Sequence, residues 1–351
     1  MADLWLEPYE EAIAEFPVTG PDRERLEAAL RFAVRAPSVH NTQPWRCAIG
    51  QGRLVVDADP GRQLTVSDPD GREMYISCGA LVEHLWVVLR RFGYEPEIVA
   101  FPEGGAGPVA WVAMGAPRRV DPLDRRLFDA ALRRRTNRRP FRRKAVPELA
   151  LERASRRALQ RRARFQVLGE ASDRALIADL VSEADRLQMN DPAFRRELAR
   201  WLRSVGSSAV DGIPASAGKA PAILRATAPL LVRTFDVGEG VAAIDRRLAA
   251  GSPVLAVLWT PADDRGAWFD AGRALARVLL SLTADGLSAS FLNQAVEVAT
   301  VRARLDGAMG HGARAQCVLR VGFGSVVPPT PRRPLESVLM TPGNSKQGGT
   351  R

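Results

Sequence analysis

Two stretches of this chain concentrate side chains that could do chemistry. The first is Pro37-Ser38-Val39-His40-Asn41-Thr42-Gln43-Pro44-Trp45. Between its prolines, Ser38, His40, Asn41, Thr42 and Gln43 carry more hydrogen-bonding capacity than a chain reversal needs. Such a loop could grip a polar, planar ligand, or it could be an ornate cap and turn. The second stretch is residues 133–144, where eight of twelve residues are basic. Arginines at a helix end complement the macrodipole, and a run of them can also bind a polyanion.

The flanking elements must position both. An amphipathic helix marked by Leu26, Leu30, Phe32 and Val34 has to stop at Pro37, which lacks an N–H donor and pushes Ala36 out of helical space. Residues 45–49 then read as a strand, paired as a hairpin with 54–58 across Gly50-Gln51-Gly52. Before the basic tract, Asp121-Pro122 reads as an N-cap and first-turn proline that start a helix over 123–135.

A pattern recurs along the chain. Residues 79–93 and 272–286 are helical runs with the same glycine-to-glycine spacing, and each second glycine is placed to stop a helix in the left-handed conformation. Strand-like runs follow both (97–101 and 289–292), and a further apolar strand follows each of those (109–114 and 316–321). Two more strands are read at 165–168 and 254–259. Helix, strand and strand in one order twice predict two related domains of α+β type, joined near 115–121 and spanning 1–119 and 120–340. Residues 190–225 contain a Gly/Ser/Ala/Pro-rich stretch that suits a lid, and 341–351 read as a disordered tail.

The chain has 351 residues, 46% hydrophobic and 26% charged, as in an ordinary globular protein. No apolar run approaches eighteen residues and the start lacks a basic segment, so neither a membrane span nor a secretory signal is expected. Three cysteines suit a reducing, cytoplasmic setting. The net charge of +10 is carried almost wholly by arginines interleaved with Asp and Glu. No helix-turn-helix, zinc-finger spacing or aromatic RNA-binding strand accompanies them, so no nucleic-acid partner is expected.

The run 37–45 resembles the Pro-Ser-x-x-Asn-x-Gln-Pro-Trp loop of the nitroreductase family of flavoproteins. Its His-Asn-Thr-Gln-Pro-Trp version is similar to the Acg-type branch, in which two nitroreductase domains share one chain. In the basic tract, Arg134-x-Thr136-x-Arg138 resembles the family's Arg-x-Ser-x-Arg motif, which clamps the flavin phosphate. Guanidinium forks plus a hydroxyl suit a phosphate dianion. The resemblance extends to Arg332 and Arg333, where the family has a basic pair returning to that phosphate. It extends also to the segment holding Asn293 and Gln294, which in the family runs along the flavin ring edge.

The phosphate motif occurs only in the second half and the polar loop only in the first. The resemblance therefore implies a nitroreductase-like fold in which two tandem domains form a pseudo-dimer within one chain, monomeric overall, with one FMN in the cleft between them. Arg134, Thr136, Arg138, Arg332 and Arg333 would hold the phosphate. Pro37, Ser38, His40, Asn41 and Gln43 would meet the ribityl chain and ring, as would Asn293 and Gln294 at the ring edge. The implied activity is NAD(P)H-dependent reduction of nitroaromatics or quinones. One alternative is a protein that only holds FMN beneath its lid; a polyanion-binding protein is a more distant one.

Other motifs fail on their chemistry. No G-x-G-x-x-G follows a strand, and no G-x-S-x-G elbow is present. The run from Gly212 to Lys219 has one residue too many for a phosphate loop and Ala220 where a hydroxyl must hold magnesium. His40, His84 and His311 are isolated, so no metal site is expected; His84 reads as structural and His40 as an orienting hydrogen-bonder.

Overall fold

The computed structural model describes residues 7–214, 228–234, 238–310 and 312–340. The tail 341–351 and the 215–225 part of the expected lid lie outside them.

The strands Trp45–Gly50 and Arg53–Ala58 alternate in burial, turning Trp45, Cys47, Ile49, Leu54 and Val56 inward. Gln51 and Gly52 join them with φ of 52° and 71°, the two left-handed residues that a tight hairpin matched to strand twist requires. The first sheet places Leu339–Met340, Trp45–Gly50, Arg53–Ala58, Ala110–Pro117 and Tyr94–Ala100 side by side in that order. The second places Arg164–Val167, Val254–Thr260, Arg314–Gly322 and Ser288–Phe291 side by side.

Without the C-terminal strand, both sheets are antiparallel and share one order: first, second, fourth, third along the chain. Each has a twenty-residue helix between its second and third strands, Arg72–Arg91 and Arg265–Ala284. Gly93 (φ 90°) and Gly286 (φ 76°) end these helices as expected. The halves differ at the first connection. A two-residue turn in the first is replaced in the second by residues 168–253, which carry helices Ala171–Asn190, Pro192–Trp201, Ala228–Thr234 and Gly238–Ala250.

Gly79 and Gly272 do not begin helices, as their spacing had implied; they lie inside them. A Cβ on Gly79 would sit 2.1 Å from the Phe269 carbonyl oxygen, and one on Gly272 would sit 2.0 Å from that of Ile76. The two long helices thus cross backbone to backbone, a closeness only glycine permits. Gly79→Ala or Gly272→Ala is expected to force the crossing apart and cost about 1–3 kcal/mol, as overpacking does. Gly307→Ala, on an exposed helical position with open space around it, should instead gain about 0.5–1 kcal/mol. Denaturant midpoints of the three variants check this, and equal effects at Gly79 and Gly307 would refute it.

The halves also interlock through their ends. Helix Pro122–Arg133, capped reciprocally by Asp121 and Asp124, buries Leu127, Phe128 and Leu132 in the core of the first sheet. There Phe128 meets Phe32 edge-on at 5.3 Å. At the far end of the chain, Leu339 pairs with Cys47 of the first sheet. Both sequence landmarks, the loop after helix Asp22–Ala33 and the tract after helix Pro122–Arg133, consequently emerge at one seam.

Candidate functional site

Loop 37–44 leaves helix Asp22–Ala33 with three non-glycine residues in the left-handed region: His40 (φ 44°), Asn41 (φ 56°) and Gln43 (φ 51°). Each such residue costs on the order of 1 kcal/mol or more and persists only where its surroundings over-determine it. Here they do. The Gln43 N–H donates to Ser38 Oγ at 3.0 Å, and the Val39 N–H donates to Ser77 Oγ at 3.3 Å. Asn41 Nδ2 donates to the carbonyls of Gly212 (3.1 Å) and Pro331 (3.2 Å), while its Oδ1 accepts from Arg332 Nη1 at 3.0 Å. Gln43 Nε2 donates to the Val210 carbonyl at 3.0 Å, and Oε1 accepts from the Arg333 N–H at 2.8 Å.

The basic tract is held from the other side. Beyond helix Pro122–Arg133 the chain extends, with Thr136 bridged in parallel to Ala289 of the second sheet and the Asn137 N–H donating to the Ala289 carbonyl at 3.0 Å. Buried Arg320 donates to the carbonyls of Asn137 (3.1 Å) and Arg139 (3.0 Å). The tract is thereby divided. Arg134, Arg135, Thr136 and Arg138 line the seam, whereas Arg139, Arg142, Arg143 and Lys144 stay exposed.

A narrow cleft results, walled by Pro37, Ser38 and Asn41, by Arg134, Thr136 and Arg138, and by Arg332. Arg35, Arg135, Gly212, Ile213, Pro214 and Thr330 complete it. Its electrostatics are one-sided. Burial first, then Arg135 and Arg35, lower the Arg134 pKa to about 9. Burial, then Arg134, Arg35 and Arg135, hold Arg332 well below the usual arginine range. Arg332 rests on main-chain carbonyls of Val34 (3.1 Å), Arg35 (3.1 Å) and Ala36 (3.3 Å). Among the described residues no carboxylate forms an ion pair with Arg35, Arg134 or Arg332. The Nε atoms of Arg35 and Arg134 are buried without a partner. A cluster of guanidiniums with open donors and no counter-charge is chemically fitted to an anion bearing several oxygens, such as a phosphate.

Arg138 has different neighbours, His40 and Asp245. Burial and then Arg138 lower the His40 pKa to about 4, so its imidazole is neutral at physiological pH. Its Nδ1 is buried without a partner.

Of the residues expected from sequence, Pro37, Ser38, Asn41, Arg134, Thr136, Arg138 and Arg332 come together on the cleft wall, and His40 stands beside Arg138. The others do not line it. Gln43 is spent on holding the loop to Val210 and Arg333. Arg333 turns away from Arg332, donating to the carbonyls of Gln43 (3.1 Å), Trp45 and Ser337, because neighbouring residues of an extended chain face opposite sides. Asn293 donates to Glu73 at 2.9 Å, and Gln294 donates to Asp185 and Asp245, so both side chains are engaged within the interior. Sequence reasoning missed Arg35, which stands two residues before Pro37 and reads there as an ordinary helix-end arginine. His84 is structural as expected, fully buried with Nδ1 2.9 Å from the Ala80 carbonyl. Among the described residues no group of His, Cys, Asp and Glu could hold a metal ion, and no helix is long and apolar enough to cross a membrane.

No family model matches the chain. A protein of Mycobacterium tuberculosis (strain ATCC 25618 / H37Rv), provisionally named NAD(P)H nitroreductase Rv3131, is 36% identical over 336 residues, covering 92% of this chain and 93% of its own. The NAD(P)H nitroreductase Acg of the same strain, also provisionally named, is 29% identical over 331 residues, covering 92% and 97%. Among solved structures, the FMN and NADPH-dependent nitroreductase NfnB from Sphigopyxis sp. strain HMH aligns with 62% of this chain and 99% of its own at 20% identity. Its TM-score against this chain is 0.41.

Proposed function

Because the chain belongs to the NAD(P)H nitroreductase family, we propose that it is an FMN-dependent oxidoreductase holding one FMN per chain in the cleft between two tandem units, residues 1–119 and 120–340. The observation that carries this reading is the cluster of buried guanidiniums without a counter-charge, placed where the polar loop of one half meets the basic tract of the other. The shared strand order of the two sheets supports the tandem arrangement. The division of labour between loop and tract supports a single site within one monomeric chain. Free, buried cysteines among the described residues suit a cytoplasmic setting.

In this reading Arg134, Thr136 and Arg332 hold the phosphate. Ser38 and His40 meet the polar atoms of the ribityl chain and ring, with Arg138 beside them. Asn41 and Gln43 act one step back, fixing the strained loop. When bound, FMN supplies hydride acceptance from NAD(P)H and delivery to a small aromatic acceptor such as a nitroaromatic or quinone.

A second reading has its own observation. Gly212, Ile213 and Pro214 lie on the cleft wall, and their segment is pinned down: Asn41 and Gln43 hold Gly212 and Val210, and Asp211 bridges Arg62 (3.0 Å) and Arg203 (2.5 Å). As a lid, this segment would exclude nicotinamide and leave a protein that only sequesters FMN. Anaerobic mixing of the purified protein with NADPH or NADH separates the two. Bleaching of the oxidised flavin band, reversed by a nitroaromatic or quinone, is the expected result. A flavin reduced by dithionite but not by either nucleotide would replace the reductase with the sequestering protein. A colourless protein that cannot be loaded with FMN would overturn both and leave the exposed arginines of the tract as a polyanion surface.

A further inference from the structure

We infer that Arg35, supplied by the first half, is a phosphate-binding residue of the cleft and makes discrimination for phosphorylated flavin depend on both halves. The inference rests on the FMN reading above and adds a residue that neither the polar loop nor the basic tract contains.

Three observations support it. Arg35 lies on the cleft wall with Arg134, Thr136 and Arg332. Its guanidinium is oriented from behind: Nη1 donates to the Tyr9 hydroxyl, its carbon sits 4.7 Å from the Tyr9 ring centroid, and Nη2 donates to the Leu132 carbonyl at 3.1 Å. Nε, by contrast, is buried without a partner. A guanidinium held through Nη1 and Nη2, with its Nε–H open, is pre-organised for a further oxygen acceptor, and little rotamer freedom is left to lose when one arrives.

Two of the phosphate-binding arginines also lean on this residue. Arg134 Nη2 and Arg332 Nη2 donate to the Arg35 carbonyl, at 3.2 Å and 3.1 Å. The main chain of Arg35 thus spaces the other guanidiniums while its side chain adds another positive charge among them. Such crowding of like charges is unfavourable until a dianion arrives, and then each guanidinium contributes to holding it. The chemical class recognised is a phosphate monoester, because the crowded charge is compact and no carboxylate nearby requires a partner.

The test compares FMN with riboflavin, which differs only in lacking the phosphate. For Arg35→Gln, the FMN Kd is expected to rise about 10- to 50-fold, as for loss of a charge-assisted hydrogen bond, with the riboflavin Kd unchanged. Arg35→Lys keeps the charge without the fork and should fall between the two, and it serves if the glutamine variant does not fold. Equal weakening of both flavins, or no weakening of FMN, would overturn the inference, since a residue that merely packs helix Glu7–Ala14 cannot distinguish them. If the wild-type protein binds no flavin, the FMN reading fails separately. Inorganic phosphate should then still raise the wild-type Tm and not that of Arg35→Gln; equal shifts would dismiss Arg35 as well.

Discussion

Arg134→Gln is expected to purify without flavin and to bind added FMN roughly 30- to 150-fold more weakly than wild type, the loss expected for a buried charge-assisted donor. Arg134 is 6% exposed, stands among Arg35, Arg135 and Arg332, and has a buried Nε without a partner. In the reading proposed above that open donor belongs to the flavin phosphate. The same surroundings predict that the fold survives. Removing a guanidinium that three others repel costs little, and the one hydrogen bond lost, to the Arg35 carbonyl, offsets that relief. A stability change within about 1 kcal/mol is therefore expected beside the large loss of FMN. Flavin content and the denaturant midpoint, measured on one preparation, check both halves of the statement. Undiminished FMN content would remove Arg134 from the site, and collapse of the fold would make its role structural.

The largest expected effect on stability lies elsewhere, at Glu83. This residue is fully buried on helix Arg72–Arg91 and accepts from Arg161 (2.9 and 3.0 Å), Arg273 (3.0 Å) and Arg277 (2.6 Å). Arg273 and Arg277 belong to the second long helix, so this one carboxylate ties the crossing helices together, while Arg277 and Arg161 also cover the Trp86 ring at 4.0 and 5.1 Å. Burial disfavours the charged form, but Arg277, Arg273 and Arg161 outweigh it and hold the Glu83 pKa down to about 2, against an ordinary 4.5. Glu83→Gln leaves buried Arg277 and the partly buried Arg161 and Arg273 without their shared carboxylate and is expected to cost about 3–5 kcal/mol.

The pH dependence has a definite sign. Because the folded-state pKa lies below the unfolded one, the stabilisation is fully present above about pH 4.5 and is lost as pH falls toward 2. Its size is about 3 kcal/mol. Wild type should therefore lose stability over that window, and the glutamine variant should lose distinctly less. Parallel pH profiles for the two proteins would show that Glu83 does not carry the acid sensitivity.

Much of the site was legible in the sequence because its signals are local. Pro37 interrupts a helix that runs into it, Asp121-Pro122 suits the start of one, and Gly93 and Gly286 were readable as left-handed stops from their spacing alone. The polar loop and the Arg134-x-Thr136-x-Arg138 spacing carried their chemistry in residue type, and both lie on the cleft wall.

Residues adjacent in sequence were harder to tell apart. Arg332 and Arg333 look equivalent as text, yet one faces the cleft and the other binds the loop's carbonyls. Asn41 and Gln43 look like ligand-binding groups, yet their hydrogen-bond partners include Pro331 and Arg333, 290 residues away.

The sequence by itself thus determined the elements that flank the two landmarks, the helix stops at Gly93 and Gly286, the recurrence of helix and strands, and the chemical kind of group the chain could bind. Tertiary structure alone decided which arginines face one another, and that Gly79 and Gly272 meet a carbonyl instead of capping a helix. It also decided that Arg35 joins the cleft and that Leu339 closes the first sheet. The physical reason is one of range. Helix stops and turns depend on φ, ψ and a missing N–H within a few residues, whereas the field at a guanidinium depends on which charges burial brings beside it, from anywhere in the chain.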